Sequence, residues 1–272
     1  SVGEDGCIDP RAVRDALRPE TVLVSIGYAN SEIGVVQPIR EIAKEIRHFK
    51  KQNTSNIYPI FHTDAAQAIS YLSIRIPELG VDLLSCNASK IGGPRGIGML
   101  YARRTIPINP IIYGGGQERG LRSGTENVPG ILGFIAALAS ARKEHIQEAE
   151  RLQSLRDIFF LRVQESLKGT RINGSREHRL PNNVHISLPG ILSELLVIEL
   201  DARGIAASAG SACGSAEKDA SHVMEALYGA ESERSWGSVR FTFGKETTSS
   251  HIDRAMKALE EIREKYGAWE IG

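Results

Sequence analysis

Asp64 lies in His62-Thr63-Asp64-Ala65-Ala66-Gln67, and Lys90 in Asn87-Ala88-Ser89-Lys90-Ile91-Gly92-Gly93-Pro94-Arg95-Gly96. Singly, each has an ordinary reading, the acid as a helix cap or turn former and the lysine as a solvated side chain beside Gly-Gly-Pro. As an acid and an amine closing successive apolar runs, they suit the two ends of a pyridoxal 5'-phosphate ring. A lysine amine forms an imine with the aldehyde of that cofactor, and a carboxylate keeps the pyridine nitrogen protonated as an electron sink.

The elements that must position this pair alternate. Asp9 and Pro10 open a short helix with Val13, Ala16 and Leu17 on one face, and Thr21 to Ile26 reads as a buried strand. Pro38 opens a helix carrying Ile39, Ile42, Ala43 and Ile46 at helical spacing, with Lys50 and Lys51 complementing its C-terminal dipole. Tyr58 to Thr63, Val81 to Leu84 and Gly96 to Tyr101 read as further strands. Strand and helix in alternation predict a mostly parallel sheet with helices on both faces, which binds ligands beyond the carboxyl ends of its strands. Asn30, Asp64 and Lys90 each follow an apolar run, so one crevice is expected to hold all three.

Gly114-Gly115-Gly116 lacks the Gly-Lys-Ser/Thr ending of a phosphate loop and reads as a sharp backbone excursion. Val128 to about Leu167 is helical by pattern, as two helices or one kinked helix, and a domain change is expected near Ala139. Residues 1–138 then form the large cofactor-binding domain and 139–272 a smaller α+β domain. In the latter, Asn183 to Leu188 and Ser238 to Phe243 read as strands and Leu192 to about Ala202 as a helix. A last helix carries Ile252, Ala255, Met256, Leu259 and Ile262 on one face, with Ser250 and Asp253 spaced as a capping box.

Taken with Gln67, Asn30-Ser31-Glu32-Ile33-Gly34, Arg122-Ser123-Gly124-Thr125 and Ser208-Ala209-Gly210-Ser211-Ala212-Cys213, the chain resembles cysteine desulfurases of the NifS/IscS type, in the class V aminotransferase family. The resemblance implies a homodimeric fold-type-I enzyme that converts L-cysteine to L-alanine and passes the sulfur, as a persulfide on Cys213, to an acceptor such as an iron–sulfur scaffold. It implies Lys90 as the imine lysine, Asp64 at the pyridine nitrogen and Gln67 near the phenolic oxygen. Asn30 would touch cofactor and substrate, Arg240 would bind the substrate carboxylate, and Thr125 would reach the cofactor phosphate of the partner subunit. The commonest family pattern has His just before the lysine and Ser three residues before it. Here Ser89 and Asn87 stand in those places, each able to donate to a phosphate oxygen. A family segment that precedes this sequence, carrying a histidine over the ring, is absent, so the chain looks like a fragment. Selenocysteine lyase shares the architecture, and a noncatalytic docking module is a further reading.

Cys213 lies in a run of Ala, Ser and Gly too small to pack a core, which suits a thiol that must attack substrate sulfur and carry it onward. Cys86, in an apolar run, reads as a packed strand residue, and Cys7 as incidental. His62, His185 and His222 have no metal-ligand spacing, so satisfied structural histidines and no metal are expected. The 272 residues are 41% hydrophobic and 24% charged, enough to bury a sizeable core. Basic and acidic residues balance at 33 each, which gives no footprint for nucleic acid. Three cysteines without CxxC spacing point to a reducing compartment, most simply the cytoplasm, and no apolar run is long enough to span a membrane.

Overall fold

A computed structural model describes residues 2–53, 57–210 and 221–266. They divide into two compact units. The first draws on residues 10–28 and 38–145, the second on 1–9, 29–37 and 146–272. These units are not the consecutive blocks 1–138 and 139–272: along the helix Val128–Ser166 the change falls at 145/146, inside the helix, and the turn around Asn30 joins the second unit through hydrogen bonds to residues about 150 positions later.

The first unit contains α1 (Pro10–Ala16), β1 (Leu23–Gly27), α2 (Ile39–Gln52), β2 (Ile60–Asp64), α3 (Ile76–Leu79), β3 (Leu83–Asn87), β4 (Gly98–Ala102) and the start of α4 (Val128–Ser166). Its sheet runs β1-β2-β3-β4, with β1, β2 and β3 parallel and β4 antiparallel to β3. Alternation along the strands sorts the two faces. Phe61, Thr63, Leu84 and Cys86 point to a buried face, and α2 buries Ile39, Ile42, Ala43 and Ile46, the stripe its spacing predicts. His62, Asp64, Ser85 and Asn87 point to the other face, where Leu23 and Leu100 stay 52% and 54% exposed, so the open face carries the polar strand ends. At the end of α2, Lys50 does more than complement a dipole. Its Nζ meets buried Asp82 at 3.1 Å, and Asp82 also accepts from the Phe61 N–H and pairs with Arg103, so strand and helix share one anchored charge.

The second unit takes the rest of α4 and adds β5 (Arg171–Ile172), β6 (Asn183–Ser187), α5 (Ser193–Asp201), α6 (His222–Tyr228), α7 (Glu233–Trp236), β7 (Ser238–Thr242) and α8 (Ser249–Tyr266). Its antiparallel sheet is ordered β5-β6-β7. Every residue of β6 is buried, as befits the middle strand. Phe159, Phe160 and Val163 of α4 join Val184, Ile186, Val239 and Phe241 in the core, with the Phe159 and Phe241 rings 5.2 Å apart. From α8, Ile252, Met256, Leu259 and Ile262 are buried, each such side chain contributing about 1.5–3 kcal/mol. The expected capping box at Ser250 and Asp253 does not form. The helix already begins at Ser249, so Ser250 is inside it, and Asp253 pairs with Arg162. Among the described residues, no helix is long and apolar enough to cross a membrane.

Candidate active site

Lys90 is presented by a tight turn that starts where β3 ends. Asn87 keeps extended backbone, and its Oδ1 accepts the Lys90 N–H at 3.3 Å and the Ser89 hydroxyl at 2.9 Å. These bonds start a short 3-10 helix, Ala88–Ile91, which Gly92 closes at φ +75° with its N–H on the Ala88 carbonyl. A side chain there would be strained, which explains the first of the two glycines. The second permits close packing. A Cβ on Gly93 would lie 2.9 Å from Ala88 Cβ and 3.0 Å from Ala137 Cβ on α4. Ala88 is thereby buried while Ser89 and Lys90 are exposed, and the Ser70 hydroxyl holds the Lys90 carbonyl at 3.2 Å. Asn87 is a cap as well as a phosphate candidate, and the Ser89 proton is given to Asn87.

Asp64 ends β2 opposite Ser85 of β3, so the acid and the lysine lie beyond the carboxyl ends of adjacent parallel strands. The Asp64 carboxylate is exposed, with Oδ1 accepting the Ala66 N–H at 2.8 Å, and its carbonyl takes the Tyr28 N–H. Gln67 follows within the same turn and is half-buried. Beneath them His62 is strung across the sheet, its Nδ1 2.8 Å from Ser25 Oγ and its Nε2 3.1 Å from Ser85 Oγ. Burial lowers its pKa and Asp64 partly opposes this, which fits a strut between three strands. Composition alone could not show that His62 shares a face with Asp64; their two-residue spacing on one strand could. Thr125 is exposed in the loop before α4, near the bonds from Gly124 N–H to Gln117 Oε1 and from the Ser123 hydroxyl to the Gly115 carbonyl.

The remaining described candidates, Asn30 and Arg240, belong to the second unit. Asn30 Oδ1 accepts the N–H groups of Glu32 and Ile33 at 2.8 and 3.0 Å, folding a tight turn. Gly34 completes it at φ +72°, where a Cβ would fall 2.4 Å from Asn183 Oδ1, so only glycine fits. Arg240 stands on β7 opposite His185, and its Nη1 donates to the Ser31 carbonyl at 2.9 Å, which brings the two substrate candidates to neighbouring positions. Cys213 lies outside the described residues. Burial pushes the Cys7 thiol up to about 11, with Asp5 adding to the shift, and burial likewise raises Cys86. Neither has the thiolate character of a nucleophile at neutral pH.

His185, expected to be a satisfied structural histidine, has an Nε2 with no hydrogen-bond partner among the described residues. It is fully buried, and burial with the nearby Arg179, Arg240 and Arg234 lowers its pKa to about 3. A histidine ordinarily near 6.5 that stays neutral in the fold lets the unfolded chain bind a proton that the folded chain refuses. Its stability contribution is therefore intact above about pH 6.5 and falls between there and about pH 3, by about 1.4 kcal/mol per pH unit. Burial raises Glu32, so its protonation works in the opposite direction over part of that window. Urea unfolding at pH 7.0, 5.5 and 4.5 should show a steeper acid loss in wild type than in His185→Gln. Equal slopes would mean that the histidine is not held neutral.

The aminotransferase class-V family model matches residues 1–255. A protein of Dictyoglomus turgidum named cysteine desulfurase IscS is 42% identical over 264 residues, covering 97% of this chain and 65% of that protein. A cysteine desulfurase IscS of Methanosarcina thermophila is likewise 42% identical, over 265 residues, covering 97% of this chain and 63% of that protein. Among solved structures, a NifS-like protein superposes with a TM-score of 0.85 at 33% identity, covering 97% of this chain and 67% of that one. A NifS-like protein from Rickettsia africae gives 0.84 at 30% identity, covering 97% and 69%. The chain thus spans about two thirds of the length of the relatives it matches. A match over nearly its whole length, on a mostly parallel sheet with an acid and a lysine beyond adjacent strands, makes it a member of the aminotransferase class-V family.

Proposed function

We propose that this chain carries the chemistry of a pyridoxal-phosphate-dependent cysteine desulfurase, a fold-type-I enzyme acting on L-cysteine. The observation that carries the reading is the exposed Asp64 and Lys90 pair, held beyond adjacent parallel strands of one unit. This donor set fits the cofactor: a carboxylate for the ring nitrogen, a primary amine for the aldehyde, and the half-buried Gln67 amide in the same turn as the acid. When bound, pyridoxal phosphate supplies an electron sink for the substrate carbon. Asn87, through its Nδ2, and, from a second subunit of a homodimer, Thr125 would supply donors for its phosphate, and Ser89 would do so once its hydroxyl turns away from Asn87.

The chain's own residues do the rest. The Lys90 amine tethers the cofactor and then carries the proton that the substrate gives up and takes back. Arg240 offers a planar fork to the substrate carboxylate and Asn30 an amide. The Cys213 thiolate attacks the substrate sulfur, so the carbon–sulfur bond breaks and a sulfur–sulfur bond forms. L-cysteine and the enzyme thiol become L-alanine and an enzyme persulfide, with atoms balanced and no outside oxidant. An acceptor such as an iron–sulfur scaffold then takes the sulfur, in the reducing cytoplasm. The names borne by relatives about 40% identical support this reading.

The test is alanine release from L-cysteine by the pyridoxal-phosphate-loaded protein, with L-selenocysteine in parallel and mass spectrometry of the Cys213 peptide. Alanine from L-cysteine with one added sulfur on that peptide is expected. Strong preference for L-selenocysteine would replace the reading with a selenocysteine lyase, and no alanine from either would leave family membership without this activity.

A further inference from the structure

Glu32 is the least expected residue of the second unit. It is 1% exposed, and its carboxylate oxygens make no hydrogen bond of ordinary geometry among the described residues, with the Ser221 side chain the nearest donor favouring its ionised form. A buried carboxylate in that state is costly and needs a reason to be kept. The fold fixes its backbone from both sides: the Asn30 side chain takes its N–H, and Asn183 Nδ2 donates to its carbonyl at 2.9 Å. Its side chain then faces a polar series that can be read proton by proton.

Arg234 has only donors, and its Nε and Nη2 both reach Asn173 Oδ1, at 3.1 and 2.9 Å. That sets the Asn173 amide, whose Nδ2 must donate, to Ser187 Oγ at 2.7 Å and to His185 Nδ1 at 3.0 Å. His185 Nδ1 is therefore an acceptor, and the neutral ring carries its proton on Nε2. Nε2 is buried without a hydrogen-bond partner, 3.7 Å from Glu32 Oε1, an N–H turned toward the carboxylate at more than hydrogen-bond length. His185 and Arg240 are opposite one another across β6 and β7 and so share a sheet face, and the Arg240 Nη1 is fastened to the carbonyl of Ser31, the residue before Glu32. The Ser221 side chain as a hydrogen-bond donor, then His222 and Arg240 by charge, oppose the effect of burial on Glu32, while the charges of Arg179, Arg240 and Arg234 act on His185.

We propose that Glu32 is the positioning residue for Arg240: a buried carboxylate at the end of the Arg234–Asn173–His185 series, beside the Ser31 carbonyl that takes Arg240 Nη1, whose charge holds the guanidinium in the orientation that receives the substrate carboxylate. This rests on the reading of Arg240 given above. Glu32 touches neither substrate nor cofactor, and its energetic cost buys an aimed cation.

The test compares wild type, Glu32→Gln, Glu32→Asp and Arg240→Lys by kinetics with L-cysteine, thermal melting, and the Arg240 Nε–H signal in ¹H–¹⁵N spectra. Glu32→Gln should raise KM on the order of 10-fold, the effect of one lost charge interaction, with kcat within about two-fold. It should melt within about 3 °C of wild type and shift or broaden the Arg240 signal. Glu32→Asp should recover part of the KM. Because burial raises the Glu32 pKa, wild-type KM should climb as pH falls toward the carboxylate's protonation, and that climb should vanish in Glu32→Gln. An unchanged KM and Arg240 signal in Glu32→Gln would overturn the proposal. So would a large fall in melting temperature with kcat and KM damaged together, since that marks a purely structural role. If Arg240→Lys leaves KM alone, or wild type makes no alanine, the functional reading fails instead, and the Arg240 signal still decides whether Glu32 orients it.

Discussion

Lys90→Ala is expected to lower alanine formation from L-cysteine by about a thousandfold or more, while the protein stays folded. The size follows from two tasks lost at once, the tether for the cofactor aldehyde and the amine that moves the substrate proton. Stability should hardly change, because the Lys90 side chain is exposed and what shapes the turn is backbone: its N–H on Asn87, its carbonyl under Ser70 and the Gly92 closure. Steady-state rates with matched circular dichroism spectra check this. A variant that keeps a tenth of the wild-type rate would remove Lys90 from the reaction.

Cys213→Ser should be as damaging to sulfur transfer, yet should leave cofactor binding intact. A serine hydroxyl does not become an anion near neutral pH, and it cannot form a sulfur–sulfur bond. The described cysteines offer no substitute. Cys7 has a pKa of about 11 and packs beside the Ile33, Val35 and Met224 cluster, and Cys86 is buried in β3 with its pKa raised. Cys7→Ser should therefore keep the wild-type rate. Persulfide counted by mass spectrometry on each cysteine-containing peptide after one turnover separates these cases, and sulfur found on Cys7 or Cys86 would overturn the assignment.

The strand-end positions of Asp64 and Lys90 were legible because they rest on local signals. Apolar runs ended by Asp64 and by the turn to Lys90 define strand ends without knowledge of the rest of the fold, and α2 announced itself through Ile39, Ile42, Ala43 and Ile46. What escaped depends on distant partners. Asn30-Ser31-Glu32-Ile33-Gly34 follows an apolar run as Asp64 does, yet it belongs with residues after 145, because Asn183 holds the Glu32 carbonyl and Val36 bonds to His178. The capping box in α8 failed in the same way, since Arg162, 91 positions away, takes Asp253. Val128 to about Leu167 reads as two helices or one kinked helix, and the structure has one helix, Val128–Ser166. Gly133 lets the helix approach Pro94, where a Cβ would come within 2.5 Å of the proline ring, so it serves packing inside a continuous helix.

Whether Lys90 and Asp64 hold pyridoxal phosphate is decided by reductive trapping. The protein is incubated with pyridoxal phosphate, reduced with borohydride, digested and mapped by mass spectrometry, with Lys90→Ala and Asp64→Ala alongside. One phosphopyridoxyl label is expected, on the Lys90 peptide, absent in Lys90→Ala and weakened in Asp64→Ala. A label on another lysine, or none in the wild-type protein, would contradict it.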